Sequence, residues 1–415
     1  MARITPNEAL QRISTAQQQG MRLAKSVNQK ATVTEYVRDV DENVYLFKRG
    51  KGSLVLPADD EVTPILGESE SGDLSLELPP SYEDWLKAYA DEINVFQNTP
   101  VLIEDVPEEE KPADDVADKP AAEPRKTIPF MVTTKWSQGS PYNNHLDFGD
   151  GKCKVGCPAV FIGQIMYYWH KKGYRRGCTA TNDYHWKGEK YAVKALPAIT
   201  KFDYANLTEG TPKTAAQKEA VATMLEYIGK AMKSNYGLDS TWARTDIFPP
   251  LMISRLRLGS NIRTISATAL GDAAFEEAIY QELLAGRPVG VWGTNDTTGG
   301  CHIFVCDGYN VSKGKYHMNF GWGGSYDGYY AMTAITLTKT YNYNAKRNAV
   351  IGIQPEYKLG DANKDGKINI TDAMVSINHS LKGTYDEASD VNSDGKVTVA
   401  DHTPIINHIL GKDSL

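Results

Sequence analysis

Residues 104–126 constrain the fold most, because this acidic segment cannot join a hydrophobic core. It holds acidic runs at 108–110 and 114–115, interspersed with prolines and alanines, and it shows no apolar periodicity. Such a composition buries too little apolar surface to offset the conformational entropy lost on ordering. We therefore predict separate domains on either side of it. Two roles are compatible with this linker, a spacer and a proteolytic processing site, since exposed disordered segments are readily cut.

Chain length and charge narrow the classes of protein. With 415 residues, the chain exceeds the usual size of one domain, and two to four domains are expected. A net charge of -7 without a polybasic run disfavours nucleic acid or anionic membrane as the main partner. No stretch approaches the roughly 18 uninterrupted apolar residues of a membrane span. Residues 1–6 lack a signal-peptide core, so the protein is either cytosolic or has lost such a peptide.

Residues 2–103 are predicted to form a small α+β domain without evident chemistry. An amphipathic pattern predicts a helix over 7–27, and a capping-box-like start predicts another over 81–93. Short apolar runs at 44–47 and 53–56, joined by a glycine-containing turn, predict a hairpin.

Residues 127–356 are the only region long enough for a large core, and they are rich in aromatics, glycine and short strands. We predict one strong helix after Cys157 and a closing strand at 349–353. The chain has five cysteines, so at least one thiol is free in a monomer, and one disulfide among Cys153, Cys178 and Cys306 is conceivable.

Residues 359–415 contain an internal repeat whose geometry can be checked by counting. A calcium loop of EF-hand type supplies oxygens from positions 1, 3, 5, 7, 9 and 12, with glycine at position 6. In the first copy these positions fall on Asp361, Asn363, Asp365, the Lys367 carbonyl, Asn369 and Asp372. In the second copy they fall on Asp390, Asn392, Asp394, the Lys396 carbonyl, Thr398 and Asp401. Glycines 366 and 395 occupy position 6, so the repeat predicts two Ca²⁺ sites.

Each calcium loop is followed by a predicted helix, over 372–381 and 401–410, but no helix precedes either loop. Paired loop–helix units of this form resemble the dockerin type I module. That resemblance implies calcium-dependent binding to a cohesin-type partner, although such repeats also serve as stabilising appendages. The alternative is a pair of Asn/Asp-rich turns without metal.

Cys157 precedes an apolar helical pattern that ends at Lys171-Lys172-Gly173. Pro158 suits the first helical position, which predicts that Cys157 is the N-cap. Unpaired N–H groups and the helix dipole stabilise a thiolate there, as a nucleophilic cysteine requires. The alternative is a structural cysteine before a helix.

His302 lies where a glycine turn runs into a predicted strand, and Asn319 lies in the segment after the next turn. An antiparallel hairpin would bring Asn319 close to His302, where an amide could hold the imidazole in the tautomer of a general base. A lone strand histidine is otherwise a structural hydrogen-bonding residue.

Four motifs occur along the chain, at 136–143, 156–157, 302–305 and 319–324. In their order and spacing, these motifs together resemble the streptopain family of cysteine peptidases. The resemblance implies a papain-like fold, Cys157 as nucleophile, His302 as base and Gln138 as oxyanion donor, with Asn319 and the following aromatics orienting the histidine. No cofactor is implied for catalysis.

The same resemblance extends to residues 52–67, which are similar to the family's propeptide. It implies a zymogen in which residues 2–103 are an inhibitory prodomain, released when the linker at 104–126 is cut. The peptidase domain would then cover 127–356 and the dockerin-like domain 359–415. A secreted, cell-surface or periplasmic endopeptidase acting on proteins or peptides is expected, with its signal peptide absent from the sequence.

Three residues depart from the family pattern. Cys301 stands where glycine is usual before the histidine, and its thiol could crowd the cleft or compete with Cys157. Phe320 replaces a tryptophan, and Pro158 replaces a small or β-branched residue.

Two other functions remain open. One is a different Cys–His acyl transferase, such as a transglutaminase. Another is an inactive adhesion or scaffold protein that acts through the calcium repeats. A zinc site built from Cys153, Cys157, Cys178 and His170 is disfavoured because the chain has no CxxC pair.

Overall fold

The computed structural model describes residues 3–18, 34–60, 62–72, 74, 77–98, 124–294, 301–332, 347–392 and 394–412. The predicted linker over 104–126 lies outside the described residues except for its last three. The chain forms two compact units. Each contains helices and strands, so the predicted α+β class is confirmed. One comprises Met1–Pro129, Gly308–His317 and Gly328–Ala345; the other comprises Phe130–Asp307, Met318–Asp327 and Lys346–Leu415. In the described ranges, no helix has the length and apolar character needed to cross a bilayer.

The first unit holds two helices and most of its strands in the N-terminal third of the chain. Its elements there are α1 Pro6–Gln18, β1 Thr34–Val40, β2 Val44–Arg49, β3 Gly52–Pro57, β4 Gly67–Ser69 and α2 Pro80–Asn98. The predicted hairpin is confirmed as β2 and β3, which pair from Val44–Pro57 to Arg49–Gly52. Both predicted helices are present, although residues 19–27 of the first prediction lie outside the described residues.

The core of the first unit follows from strand alternation. Tyr45 and Phe47 of β2 and Leu54 and Leu56 of β3 are buried together with Ala9 of α1. Side chains two apart in a strand share a face, so these residues form one apolar surface that α1 covers.

A strand from later in the sequence, β11 Gly328–Tyr330, also belongs to this unit. Strand β4 pairs antiparallel with β11, so that Gly328 opposes Ser69 and Tyr330 opposes Gly67. A Cβ on Gly328 would lie 2.1 Å from the Glu68 carbonyl oxygen, so the close approach requires glycine. The N-terminal segment is thereby joined to strands from much later in the sequence.

The second unit is built around α3, Cys157–His170, whose residues from Pro158 to Met166 are buried. Its other elements are β5 Tyr184–His185, β6 Ala192–Val193, α4 Ala215–Ala231, α5 Phe248–Leu256, β7 Arg263–Ser266, α6 Ala267–Leu270, α7 Asp272–Leu284, β8 Val289–Thr294 and β12 Arg347–Ile351. Strands β9 Cys301–Asn310 and β10 Lys315–Asn319 contribute to both units. Strands β9, β8, β12 and β7 are neighbours in that order.

Several helices of this unit were not predicted from the sequence. Helix α4 begins at a Thr214–Gln217 capping box, and it packs closely on α3. A Cβ on Gly163 of α3 would come within 2.7 Å of Leu225 in α4, so glycine permits this approach. The predicted strand at 349–353 is confirmed as β12, beginning and ending two residues earlier.

The C-terminal part of the second unit contains the repeat. Helices α8, Ile370–Lys382, and α9, Val399–Ile409, follow the two loops as predicted. Leu359, Ala373, Val391 and Ile405 form its small core.

Candidate active site and calcium loops

Cys157 is the first residue of α3, and Gly156 is its N-cap. The sequence pattern predicted the N-cap one residue later, at Cys157. Gly156 has a φ of 91°, and a Cβ there would lie 2.8 Å from Thr241 Cγ2. Glycine is therefore required on both conformational and steric grounds. The thiol still lies at the positive end of the helix dipole.

The Cys157 thiol is in an apolar environment, although its side chain retains some exposure. Burial raises its pKa to about 11, against the smaller lowering effect of hydrogen bonds from the backbone N–H groups of Ile303 and Cys157 itself. The thiol is therefore protonated at neutral pH in this structure. Because Ile303 follows His302 in β9, its contact brings the thiol next to the histidine-bearing part of that strand.

His302 is buried, and its Nε2 lies 2.9 Å from the carbonyl oxygen of Phe320. A carbonyl oxygen only accepts, so Nε2 donates the hydrogen and a neutral ring keeps its lone pair on Nδ1. Burial lowers the pKa of His302 to about 4, and the bond to Phe320 opposes this effect. The ring stacks on Trp322, with centroids 4.5 Å apart and planes at 14°.

Asn319 makes different contacts from those expected. Its Nδ2 donates to the Thr134 carbonyl at 2.8 Å, and its Oδ1 accepts from Gln164 Nε2 at 2.9 Å and from the Gly321 N–H at 3.1 Å. The acceptor that holds the imidazole is instead the backbone carbonyl of the next residue, Phe320. The predicted hairpin is enough to bring Asn319 near His302. It does not distinguish a side-chain acceptor from the carbonyl of a neighbouring residue.

Gln164 is a further candidate site residue, one that was not predicted from the sequence. It lies on α3, is 1% exposed, and donates from Nε2 to Asn319 and, at 3.2 Å, to the Thr134 carbonyl. Its Oε1 is buried, has no hydrogen-bond partner among the described residues, and faces Gly321. The signal was a polar residue inside an otherwise apolar helix, seven residues after Cys157 and on a similar face.

The backbone of Phe320 is held at both ends of the residue. Its N–H donates to Asp327 Oδ1 at 2.9 Å, and its carbonyl accepts from His302. Phe320 also stacks with Trp322, with planes at 7° and centroids 5.2 Å apart. Phe320 therefore packs against the same tryptophan that stacks on the His302 ring.

Gln138 is tied to the segment that carries Cys157. Its carbonyl accepts from the Val155 N–H at 3.0 Å, two residues before the cysteine. The buried Trp136, two residues before Gln138, accepts at its carbonyl from the Gly323 N–H at 2.9 Å. The loops that hold Gln138, Cys157 and Phe320 are thus joined through their backbones.

The other cysteines are unpaired where they are described. Cys153, Cys178 and Cys306 are buried free thiols, so the disulfide considered among them is not formed. Burial raises the pKa of each thiol. The side chain of Cys301 lies outside the described residues, and its expected effect on the cleft stays a prediction.

The two predicted calcium loops share one hydrogen-bond pattern. Asp361 accepts from the N–H groups of Asp365 and Gly366 at 3.0 and 2.9 Å. Asp390 accepts from Asp394 and Gly395 at the same distances. The position-12 aspartates, Asp372 and Asp401, are fully buried and likewise accept from loop N–H groups. Gly366 and Gly395 have φ of 87° and 86°, as the sharp turn requires.

The donor set of each loop suits Ca²⁺, a hard cation that binds carboxylate, amide and carbonyl oxygens. In the first loop, burial raises the pKa of Asp361, and the neighbouring Asp372 and Asp365 raise it further, so a cation would relieve this crowding. Among the described residues, no three Asp, Glu, His or Cys side chains converge as a metal site on their own. Amide and carbonyl oxygens would complete each set. The position-9 residues Asn369 and Thr398 also cap α8 and α9.

Two family models match this chain. Residues 136–330 match the Peptidase C10 family, and residues 359–410 match the dockerin type I domain. This chain carries a Peptidase C10 domain and a dockerin type I domain. The dockerin domain implies calcium binding, which confirms that part of the sequence prediction.

Solved and curated relatives agree with this assignment. Streptopain of Streptococcus pyogenes is 23% identical over 341 residues, covering 75% of this chain and 81% of that protein. A solved fragment of Prevotella intermedia prointerpain A is 25% identical, with a TM-score of 0.62, and it covers 78% of this chain and 99% of that one. The fold is therefore papain-like with an N-terminal prodomain, and the protein is a cysteine peptidase with a dockerin module, as predicted.

Proposed function

We propose that this protein is a secreted cysteine endopeptidase made as a zymogen, with Cys157 as its nucleophile and His302 as its general base. The observation that carries the proposal is the position of the Cys157 thiol. It lies at the N-terminus of α3, against the backbone N–H of Ile303, one residue from a histidine whose tautomer leaves Nδ1 free to accept a proton.

The reaction follows the ordinary course of a thiol peptidase. Transfer of the thiol proton to His302 gives a thiolate, which attacks the peptide carbonyl carbon to form a C–S bond. We assign the Gln138 side chain and the Cys157 N–H as the donors to the resulting oxyanion. His302 then protonates the leaving amine as the C–N bond breaks. It next takes a proton from water, which hydrolyses the thioester and regenerates the thiol.

Latency of the intact chain is part of this proposal. A pKa of about 11 for Cys157 and about 4 for His302 leave both groups neutral at pH 7. A thiolate–imidazolium pair needs these pKa values to move towards each other. We infer that cutting the linker over 104–126 and losing residues 2–103 permit that change.

The dockerin module adds a second function. We infer that it binds two Ca²⁺ ions, one in each loop, and that it attaches the enzyme to a cohesin-type partner. The two matching hydrogen-bond patterns support two equivalent loops. A location outside the cytoplasm would suit both the peptidase and this module.

Mass spectrometry of the reduced, purified chain during incubation tests the proposal. Linker cleavage and casein hydrolysis are expected in the wild type and absent in Cys157→Ala. Casein hydrolysis that survives in Cys157→Ala would refute the role of Cys157. Incorporation of a primary amine into casein without hydrolysis would instead indicate a transferase, and neither reaction after linker cleavage would favour an inactive scaffold.

A further inference from the structure

The turn between the two calcium loops makes a set of polar contacts with the peptidase domain that calcium binding alone does not require. Its central residue is Glu387, whose carboxylate pairs with Arg257 at the end of α5 and lies 3.6 Å from Arg176. Arg176 also donates to the Glu387 carbonyl at 3.1 Å. Arginines of the peptidase domain therefore bind both the carboxylate and the backbone carbonyl of Glu387.

Two further contacts extend this surface. Tyr357, between β12 and the first loop, donates to the Glu387 carboxylate at 2.6 Å, and the Arg176 guanidinium lies 4.9 Å from the centre of its ring. Lys201 donates to the carbonyl of Asn392 at 3.3 Å. We define the basic surface as Arg176, Lys201 and Arg257.

The burial of this contact argues that it is more than a surface ion pair. The side chain of Arg176 is 11% exposed and that of Glu387 is 22% exposed. Exposed pairs contribute little because water screens them, whereas partly buried pairs with several hydrogen bonds contribute more. Ala388, next to Glu387, is fully buried and accepts at its carbonyl from the Gly360 N–H at 2.7 Å.

The contacts lie on either side of the second loop's first ligand position. Glu387 precedes Asp390 by three residues, and Asn392 follows it by two. Tyr385 also donates to Asp390 Oδ2 at 3.1 Å. Anything that orders Asp390 therefore also orders the residues that contact the basic surface.

We propose that the dockerin module is docked on the peptidase domain through Glu387 and the basic surface, and that calcium loading consequently stabilises the peptidase domain. A ligand that binds only the folded form stabilises every part of the protein that unfolds with its site. The coupling is reciprocal, so detaching the turn weakens calcium binding in the second loop.

Docking through the turn leaves apolar side chains of both helices free for another partner. Ile370, Met374 and Leu381 of α8 are 64%, 59% and 79% exposed. Val399 of α9 and Leu410, the residue after this helix, are 74% and 59% exposed. Internal docking and capture by a cohesin-type protein therefore use different residues of the module.

Tryptophan fluorescence separates the two parts of the molecule, because all seven tryptophans precede residue 359. In the full chain carrying Cys157→Ala, replacing EDTA by Ca²⁺ is expected to raise the tryptophan-detected Tm by roughly 2 °C or more. The substitutions Glu387→Arg and Arg257→Gln are each expected to abolish most of this shift. Glu356→Gln, at an exposed glutamate, is the matched control and should retain it.

Calorimetric titration of Ca²⁺ shows whether the module of each variant still folds. Arg257→Gln leaves the module sequence intact, so it remains informative even if Glu387→Arg unfolds the module. A tryptophan-detected Tm that is the same in Ca²⁺ and EDTA would overturn the proposal. So would a full Ca²⁺ shift in Arg257→Gln. Neither measurement depends on peptidase activity, so the role of Cys157 stands or fails separately.

Discussion

Cys157 and His302 are neutral at pH 7 for the same physical reason, which is burial. Desolvation penalises the thiolate and the imidazolium alike, so it raises one pKa and lowers the other. The helix dipole and the Ile303 N–H act in the opposite direction on the thiol, but they do not outweigh burial. The intact chain therefore holds the two groups together without the charges that catalysis needs.

The thiol pKa predicts the pH dependence of alkylation in the intact chain. A pKa raised to about 11 means that the thiolate fraction is small at pH 7 and grows as the pH rises towards that value. Iodoacetamide should therefore modify Cys157 slowly at pH 7, with a rate that increases about tenfold per pH unit below the pKa. Peptide mapping of timed samples measures this rate. A plateau already reached by pH 7 would contradict the expectation.

Gln164 is predicted to position the segment that holds His302. Gln164→Leu removes one of the two donors to Asn319 Oδ1 and one of the two donors to the Thr134 carbonyl, and the loss of these two buried hydrogen bonds costs about 1–3 kcal/mol of stability. We expect a lower kcat with a smaller change in KM, and a shifted pH profile, because the Phe320 carbonyl moves relative to His302.

Urea unfolding and steady-state kinetics of linker-cleaved protein test the Gln164 prediction. The control is Gln281→Leu on α7, where the side chain is exposed and donates to Glu277 in the same helix. If Gln164→Leu lowers stability but leaves kcat and its pH profile unchanged, Gln164 is structural only.

At the scale of elements, the start of α3 depends on Gly156. Gly156→Ala adds a Cβ at a φ of 91° and 2.8 Å from Thr241 Cγ2, so strain and collision act together. We expect a loss of roughly 1–3 kcal/mol and reduced activity, because Cys157 is the next residue.

A matched glycine separates strain from collision. Gly188 has a φ of 84° and open space around its Cβ position, so Gly188→Ala should cost only about 1 kcal/mol and leave activity unchanged. Urea unfolding of both variants measures the difference. Equal losses of stability in the two variants would show that Thr241 moves away from the added Cβ without an energetic cost.

Sequence patterns predicted the elements whose signals are local. The apolar spacing after Cys157 and the loop spacing from Asp361 and Asp390 each led to a correct helix. The start of α3 was misplaced by one residue, because Pro158 is compatible with either of the first two helical positions. Helices α4, α5 and α7 went unpredicted where their apolar residues pack on more than one neighbour.

The contacts of the candidate site depend on tertiary structure, and the sequence could not supply them. The order of the family motifs identified Cys157, His302 and Asn319 as candidates. The partner of His302, however, is a main-chain carbonyl, which the residue type does not reveal. Gln164 was overlooked for the same reason, since its importance comes from Thr134 and Asn319, which are distant in sequence.

At the scale of the molecule, the first unit joins the prodomain to residues of three strands of the peptidase sequence, β9, β10 and β11. Glu68 of β4 is 6% exposed and pairs with Arg49 at 2.9 Å and with Lys313. Burial raises the pKa of Glu68, but the two cations outweigh it and leave the pKa below its ordinary value. The ion pairs therefore stabilise this contact above the ordinary pKa and are lost as the pH falls through the lowered one.

Glu68→Gln is expected to weaken the hold on a cut prodomain. The substitution leaves the partly buried Lys313 without its charged partner, so residues 2–103 should dissociate more readily once the linker has been cut by an added protease. Size-exclusion chromatography of cleaved Cys157→Ala protein measures the bound fraction. Glu70→Gln, at an exposed glutamate two residues away, is the control. Equal retention in both variants would rule out this role for Glu68.

Covalent labelling of Cys157 tests the central claim most directly. After linker cleavage and under reducing conditions, an E-64-type epoxide should modify Cys157 and leave the buried Cys153, Cys178 and Cys306 unmodified. The rate of modification at Cys157 should fall strongly in His302→Ala. Mass spectrometry of the peptide that contains Cys157 gives the extent of modification. A folded, cleaved protein that takes no label at Cys157, or that labels equally fast in His302→Ala, would contradict the assignment of this pair.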